Sequence, residues 1–157
     1  MMNAKSRFEA TRAAVPRLNE VKALIMYGCD DWRPEGVRTS VATSDPTAAA
    51  AIRAVDELAD KLDALRAEES ELEDLIGTSL EIIAAVRVGF GEKYADVLDS
   101  RYIDCEKWTE IAERYDSMLH GKETVTTRTV QNWAQIAFEW IDSAGVSRLL
   151  RGDVIEL

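Results

Sequence analysis

The sequence predicts an all-α protein, and three observations carry that expectation. Apolar residues recur at steps of three and four along nearly every segment, which is the helical period. No stretch alternates apolar and polar residues over the length of a strand. Between Thr47 and Val88 there is no proline, and Gly77 is the single glycine, so one long helix is expected there. The expected architecture is a long helical hairpin or coiled-coil scaffold followed by a C-terminal helix-turn-helix, in which a helix, a short helix and a longer helix follow one another.

The first helix places Phe8, Thr11, Val15, Leu18, Val21 and Ile25 on one face. Pro16 is expected to kink or restart it, because proline lacks the amide proton that a helix interior needs. Gly28 ends the pattern. The stretch CDDWRPEGVRTSVATSDP then supplies Asp, Ser, Thr, Gly and Pro, so residues 28–46 read as a long surface loop. Trp32 is its one aromatic residue and a candidate docking side chain.

Ser44 or Asp45 can cap the next helix, and Pro46 suits its first turn. The helix over 47–88 carries Val55, Leu58, Leu62, Leu65, Glu69, Leu72, Ile76, Ser79, Ile83 and Val86. Their spacing alternates three and four without a slip, a heptad seam of more than four repeats, with Glu69 and Ser79 as its polar weak points. At about 1.5 Å of rise per residue this helix spans about 60 Å. No single small core buries such a length. It has to pair with the N-terminal helix, with a second subunit, or with both.

Gly89 and Gly91 allow a break before a helix from Glu92 to Ile103, with Tyr94, Val97, Leu98 and Tyr102 on its apolar face. A turn at Asp104-Cys105-Glu106 precedes a short helix bearing Trp108, Ile111, Ala112 and Tyr115. A polar linker, 116–125, contains His120-Gly121-Lys122. The last strong helix covers 127–143, with Val130, Trp133, Ala134, Ala137, Phe138 and Ile141 inward, Thr126 as its cap, and Gly145 as its stop. The expected organisation is a scaffold over 1–90, a second domain over 91–145, and a tail over 146–157 that frays from Arg151 onward.

Composition narrows the function. The chain has 157 residues, 46% hydrophobic and 31% charged, in the range of folded domains rather than disordered chains. Its net charge is −10, which argues against a simple basic nucleic-acid binder and against an acidic membrane surface as partner. The charge is uneven: +1 over residues 1–46, −6 over 47–90 and −5 over 91–157. Most of the acidity therefore belongs to the long helix.

Cys29 and Cys105 lie far apart and form no CxxC pair, so two reduced thiols are expected, with no zinc site and no disulfide framework. The N-terminus has no continuous apolar segment of the secretory kind. No apolar run approaches the ~20 residues of a membrane span, and a soluble, cytoplasmic protein is expected. His120 is the only histidine, which leaves no His-based catalytic pair elsewhere. There is no phosphate-cradling glycine motif. Neither an enzyme nor a cofactor is expected.

The C-terminal helix carries the functional signal. Away from its apolar face lie Thr127, Arg128, Gln131, Asn132 and Gln135. Arg can read guanine, and Gln and Asn can read adenine, when presented in the major groove. They occupy the N-terminal half of the helix, the half that a recognition helix offers to bases. Glu139 and Asp142 follow, so the other half points away from DNA.

Three stretches, YADVLDSRYI, WTEIAER and TRTVQNWAQIAF, resemble the fourth region of the sigma-70 family, a helix-turn-helix that reads a promoter element. They are also similar to small phage regulators of the ArpU and RinA type, implicated in late-gene transcription. The longer layout, with its Ser44-Asp45-Pro46 loop ending and long acidic helix, resembles an uncharacterised phage family of that group. The resemblance implies a phage or prophage transcriptional regulator that binds double-stranded promoter DNA, with RNA polymerase as a possible partner. It places Trp108, Ile111 and Ala112 on the supporting helix and Thr126 on the cap. Arg128, Gln131, Asn132 and Gln135 fall toward DNA, with Thr127 in the first turn. The 116–125 linker is longer than the usual turn and can act as a wing, with Lys122 on phosphate. A homodimer through the long helix is expected. The competing reading is a sigma-like module that binds RNA polymerase or another protein without reading DNA, which the acidic balance favours.

Overall fold

A computed structural model describes residues 2–28, 45–119 and 121–151. The described residues are 86% helical with no strands, so the chain is all-α. The elements are α1 (Ala4–Tyr27), α2 (Asp45–Gly89), α3 (Glu92–Leu98), a π-helical turn (Asp99–Ile103), α4 (Trp108–Met118), α5 (Thr127–Ala144) and α6 (Val146–Leu150). The loop expected over 28–46, with Cys29 and Trp32, lies outside the described residues beyond Gly28 and the start of α2. His120 and the end of the tail lie outside them too.

Helix α1 is continuous through Pro16, which corrects the expected restart. Helix α2 runs unbroken from Asp45 to Gly89, close to the expected 47–88. The helix expected from Glu92 to Ile103 divides: α-helix ends at Leu98, and the next five residues form the π-helical turn. Its wider ring is closed by the Asp104 amide donating to the Asp99 carbonyl at 3.0 Å. Helix α4 reaches Met118, so the linker is shorter than the expected 116–125. Residues expected in the tail form α6, with Leu149 buried.

The chain divides into two compact units. One comprises Met1–Pro16 with Asp74–Leu157, and the other Arg17–Glu73. Each contains part of both long helices. In the first, the core joins Phe8 of α1, Ile82 and Val86 of α2, Leu98 of α3, Ile111 of α4 and Ile141 of α5. Phe8, Tyr102 and Phe138 form a triangle of rings, with every pair of centroids 5.6 Å apart. Phe90 stacks on Trp140 at 5.3 Å. The seam's polar position here is resolved by pairing: the hydroxyls of Ser79 and Thr11, both fully buried, lie 2.7 Å apart. A buried hydroxyl without a partner is costly, and this pair satisfies both.

In the second unit, Val21 and Ala54 are buried, while Leu58, Leu62, Leu65 and Leu72 are half-buried, as the seam predicts. Val55 departs from it and is 65% exposed. Arg17 grips Glu68 with two bonds, Nε to Oε1 at 2.6 Å and Nη2 to Oε2 at 3.0 Å. Lys22 reaches Glu73 at 3.1 Å. These pairs are substantially exposed, so they set register more than they add stability.

Candidate nucleic-acid interface

The candidate interface belongs to the first unit. Helix α4 starts where the Lys107 amide donates to the Glu110 carboxylate at 2.9 Å. An acid in the first turn satisfies a free amide and suits the helix dipole. Ile111, Ala112 and Tyr115 are buried. The small side chain at 112 permits close approach of α5, and Tyr115 meets Trp133 edge-on at 5.4 Å. The connection folds back through the Lys122 amide bonded to the Leu119 carbonyl at 3.0 Å. Gly121 there adopts φ 78°, in the left-handed region that favours glycine. The Val125 amide donates to Asp116 at 3.1 Å, tying the linker to the end of α4.

Thr126 is the cap of α5, as expected. Its hydroxyl accepts the Thr129 amide at 3.3 Å, and the Thr129 hydroxyl accepts the Thr126 amide at 3.2 Å. A reciprocal pair of this kind satisfies two free amides at once. Beyond it, Val130, Trp133, Ala134, Ala137, Phe138, Trp140 and Ile141 are buried. This inward set adds Trp140 to the residues expected there.

The sequence-predicted contacts fall on the other side. Lys122, Thr126, Arg128, Gln131, Asn132 and Gln135 are exposed, and Thr127 is half-buried. Gln135 donates to Glu139 at 3.3 Å. Arg128 makes no ion pair among the described residues. The set divides in two. Gln131 and Gln135 border a cleft of about 730 Å³, whereas Lys122, Thr126, Thr127, Arg128 and Asn132 stand outside its lining.

The cleft contains residues that sequence reasoning missed. Its far wall is α1, with Lys5, Glu9, Arg12 and Pro16, and its floor includes Arg101, Tyr102, Trp108 and Phe138. The steps from Lys5 to Glu9, Arg12 and Pro16 are four, three and four. That stripe, beside the Phe8–Thr11–Val15 face, was the available signal. Arg101 sits on the π-helical turn, a distortion that often marks functional sites. Its guanidinium lies 4.6 Å from the centre of the Trp108 ring, and its Nη1 donates to the Glu106 carbonyl at 3.0 Å. Burial, reinforced by the positive charge of Arg12, lowers its pKa from the usual arginine value.

Burial pushes the Tyr102 hydroxyl up to about 12, and the Tyr115 hydroxyl likewise to about 12. Both stay neutral and structural at ordinary pH. Among the described residues no cluster of His, Cys, Asp and Glu could hold a metal ion, and no helix is long and apolar enough to cross a membrane. No family model, curated protein or solved structure matches the chain.

Proposed function

We propose that this chain is a phage-type transcriptional regulator that binds double-stranded promoter DNA through α4, its connection and α5. One observation carries the reading. Four side chains able to bond base edges, Arg128, Gln131, Asn132 and Gln135, are exposed in the first half of a capped α5 whose opposite face is buried. A recognition helix needs that division. Lys122, exposed on the connection, serves as the phosphate contact of a wing. The two acidic residues in excess between Lys107 and Asp142 make non-specific attraction to phosphates weak, so the module acts beside a second copy or RNA polymerase. Immunoprecipitation of the tagged protein from its host, followed by sequencing, tests the reading: enrichment at discrete promoters is expected.

The second copy docks along α2. Ile52 and Val55 are 62% and 65% exposed, an apolar pair near the start of a helix of acidic balance. A homodimer mass by light scattering is expected, and a monomer at high concentration removes this part of the proposal.

A second reading has its own support. Gln131 and Gln135 face a cleft walled by α1 rather than standing clear of the protein. That arrangement, with the acidic balance, favours a sigma-like module that binds RNA polymerase or another protein and reads no DNA. Promoter enrichment lost on Arg128→Ala supports the first reading, and enrichment indifferent to that change supports the second.

A further inference from the structure

The cleft beside α5 is a charge anomaly. The chain carries −10 overall, yet the cleft gathers Lys5, Arg12 and Arg101 against the single acid Glu9. Among the described residues, neither Arg12 nor Arg101 forms a salt bridge. The Nε of each is buried without an acceptor. Two partly desolvated guanidiniums repel one another, and Glu9, the one carboxylate of the cleft that acts on Arg101, forms a salt bridge with neither among the described residues, so the arrangement costs free energy. Proteins tolerate such an arrangement where something else supplies the negative charge. The cavity, about 730 Å³, falls within the range of small-molecule sites, roughly 300–1,000 Å³. Trp108, half-buried, gives it an aromatic wall, behind which Phe138 is almost fully buried, and the Gln131 and Gln135 amides supply donors and acceptors at its rim.

We propose that this cleft binds a small organic anion, a phosphate or carboxylate carried on a flat apolar body, with Arg12, Arg101 and Lys5 taking the anionic group. The flat body lies against the aromatic wall, and the two glutamine amides meet its polar edge. Glu9 opposes binding and limits affinity to ligands that keep the anion on the arginine side. The site shares Gln131 and Gln135 with the proposed DNA-reading face, while Lys5, Arg12 and Arg101, which take the anion, lie outside that face.

Isothermal titration of the full chain tests it with two probes, adenosine monophosphate for the phosphate source and indole-3-acetate for the carboxylate source. Adenosine, indole and inorganic phosphate are the controls. At least one anion should bind saturably, and its neutral parent about tenfold or more weaker. Glu9 is exposed, so Glu9→Gln keeps the fold and should tighten binding severalfold. Arg101→Gln should weaken it about tenfold or more. If Arg101→Gln loses its helical circular dichroism, Glu9→Gln decides alone. No saturable binding of either anion overturns the proposal. So does equal binding of the neutral parent, or an anion affinity unchanged by Glu9→Gln.

Discussion

The Cys105 thiol lies 3.7 Å from the carbonyl oxygen of Arg12, within donating reach, with the Ile103 carbonyl at 3.8 Å as its other acceptor. The Arg12 oxygen is the one left without a helical donor by Pro16, four residues further along α1. A proline inside a helix costs roughly 3 kcal/mol, and here a side chain 93 residues away replaces part of the missing bond. The Cys105 backbone adopts φ 57°, a conformation uncommon for a residue with a side chain, in the turn that carries the thiol to α1. The helix therefore continues where its local sequence argues for a break.

This pairing makes a coupling prediction. Cys105→Ala should cost about 0.5–1 kcal/mol, the scale of a weak donor's bond. In a Pro16→Ala background, where the residue 16 amide returns, the same change should cost much less. Pro16→Ala alone should stabilise. Urea denaturation of the four proteins reads the cycle. Equal losses in both backgrounds would show that the thiol and the proline are unconnected.

Thr11 and Ser79 behave as a unit. Thr11 also bonds the Arg7 carbonyl at 3.0 Å, so its single proton is committed there and Ser79 donates to it. Ser79→Ala should cost about 1–2 kcal/mol, because it leaves the buried Thr11 oxygen short of a donor. Thr11→Val combined with Ser79→Ala should recover most of that loss. A double variant as unstable as the sum of the singles would exclude the coupling.

Stability should fall at alkaline pH. Tyr102 and Tyr115 carry hydroxyls raised by burial from 10 to about 12. A raised folded value means that the unfolded chain releases these protons first. The stabilisation is fully present below pH 10 and is lost as pH rises toward 12. Tyr102→Phe should flatten that decline, with thermal unfolding as the readout. A decline unchanged by the substitution places its cause elsewhere.

Much of this was legible in the sequence, for a physical reason. Burial in a helical protein leaves a periodic trace, so the Phe8–Thr11–Val21 face, the seam through Ser79, Ile83 and Val86, and the inward set of α5 other than Trp140 followed from spacing alone. Thr126 followed from capping chemistry. The continuous α1 did not, since Pro16 obeys a local rule that Cys105 offsets from afar. Nor did the π-helical turn, whose extra residue leaves no mark in the apolar spacing around Tyr102. The cleft was the least legible feature. Lys5 and Arg12 come from α1, Arg101 from that turn, and Gln131 from α5, so their meeting is a product of tertiary packing.

The central claim is that the exposed face of α5 reads bases, and Arg128 tests it most directly. The measurement is fluorescence anisotropy on a promoter fragment recovered by immunoprecipitation, with wild type and Arg128→Ala compared at two salt concentrations. Arg128 is exposed and makes no ion pair among the described residues, so circular dichroism should be unchanged. An arginine reading guanine contributes about 1–3 kcal/mol of discrimination. The variant should lose specific binding, falling by at least about tenfold toward the affinity for unrelated DNA. Equal affinity of the two proteins for the promoter fragment at both salt concentrations would contradict a base-reading α5.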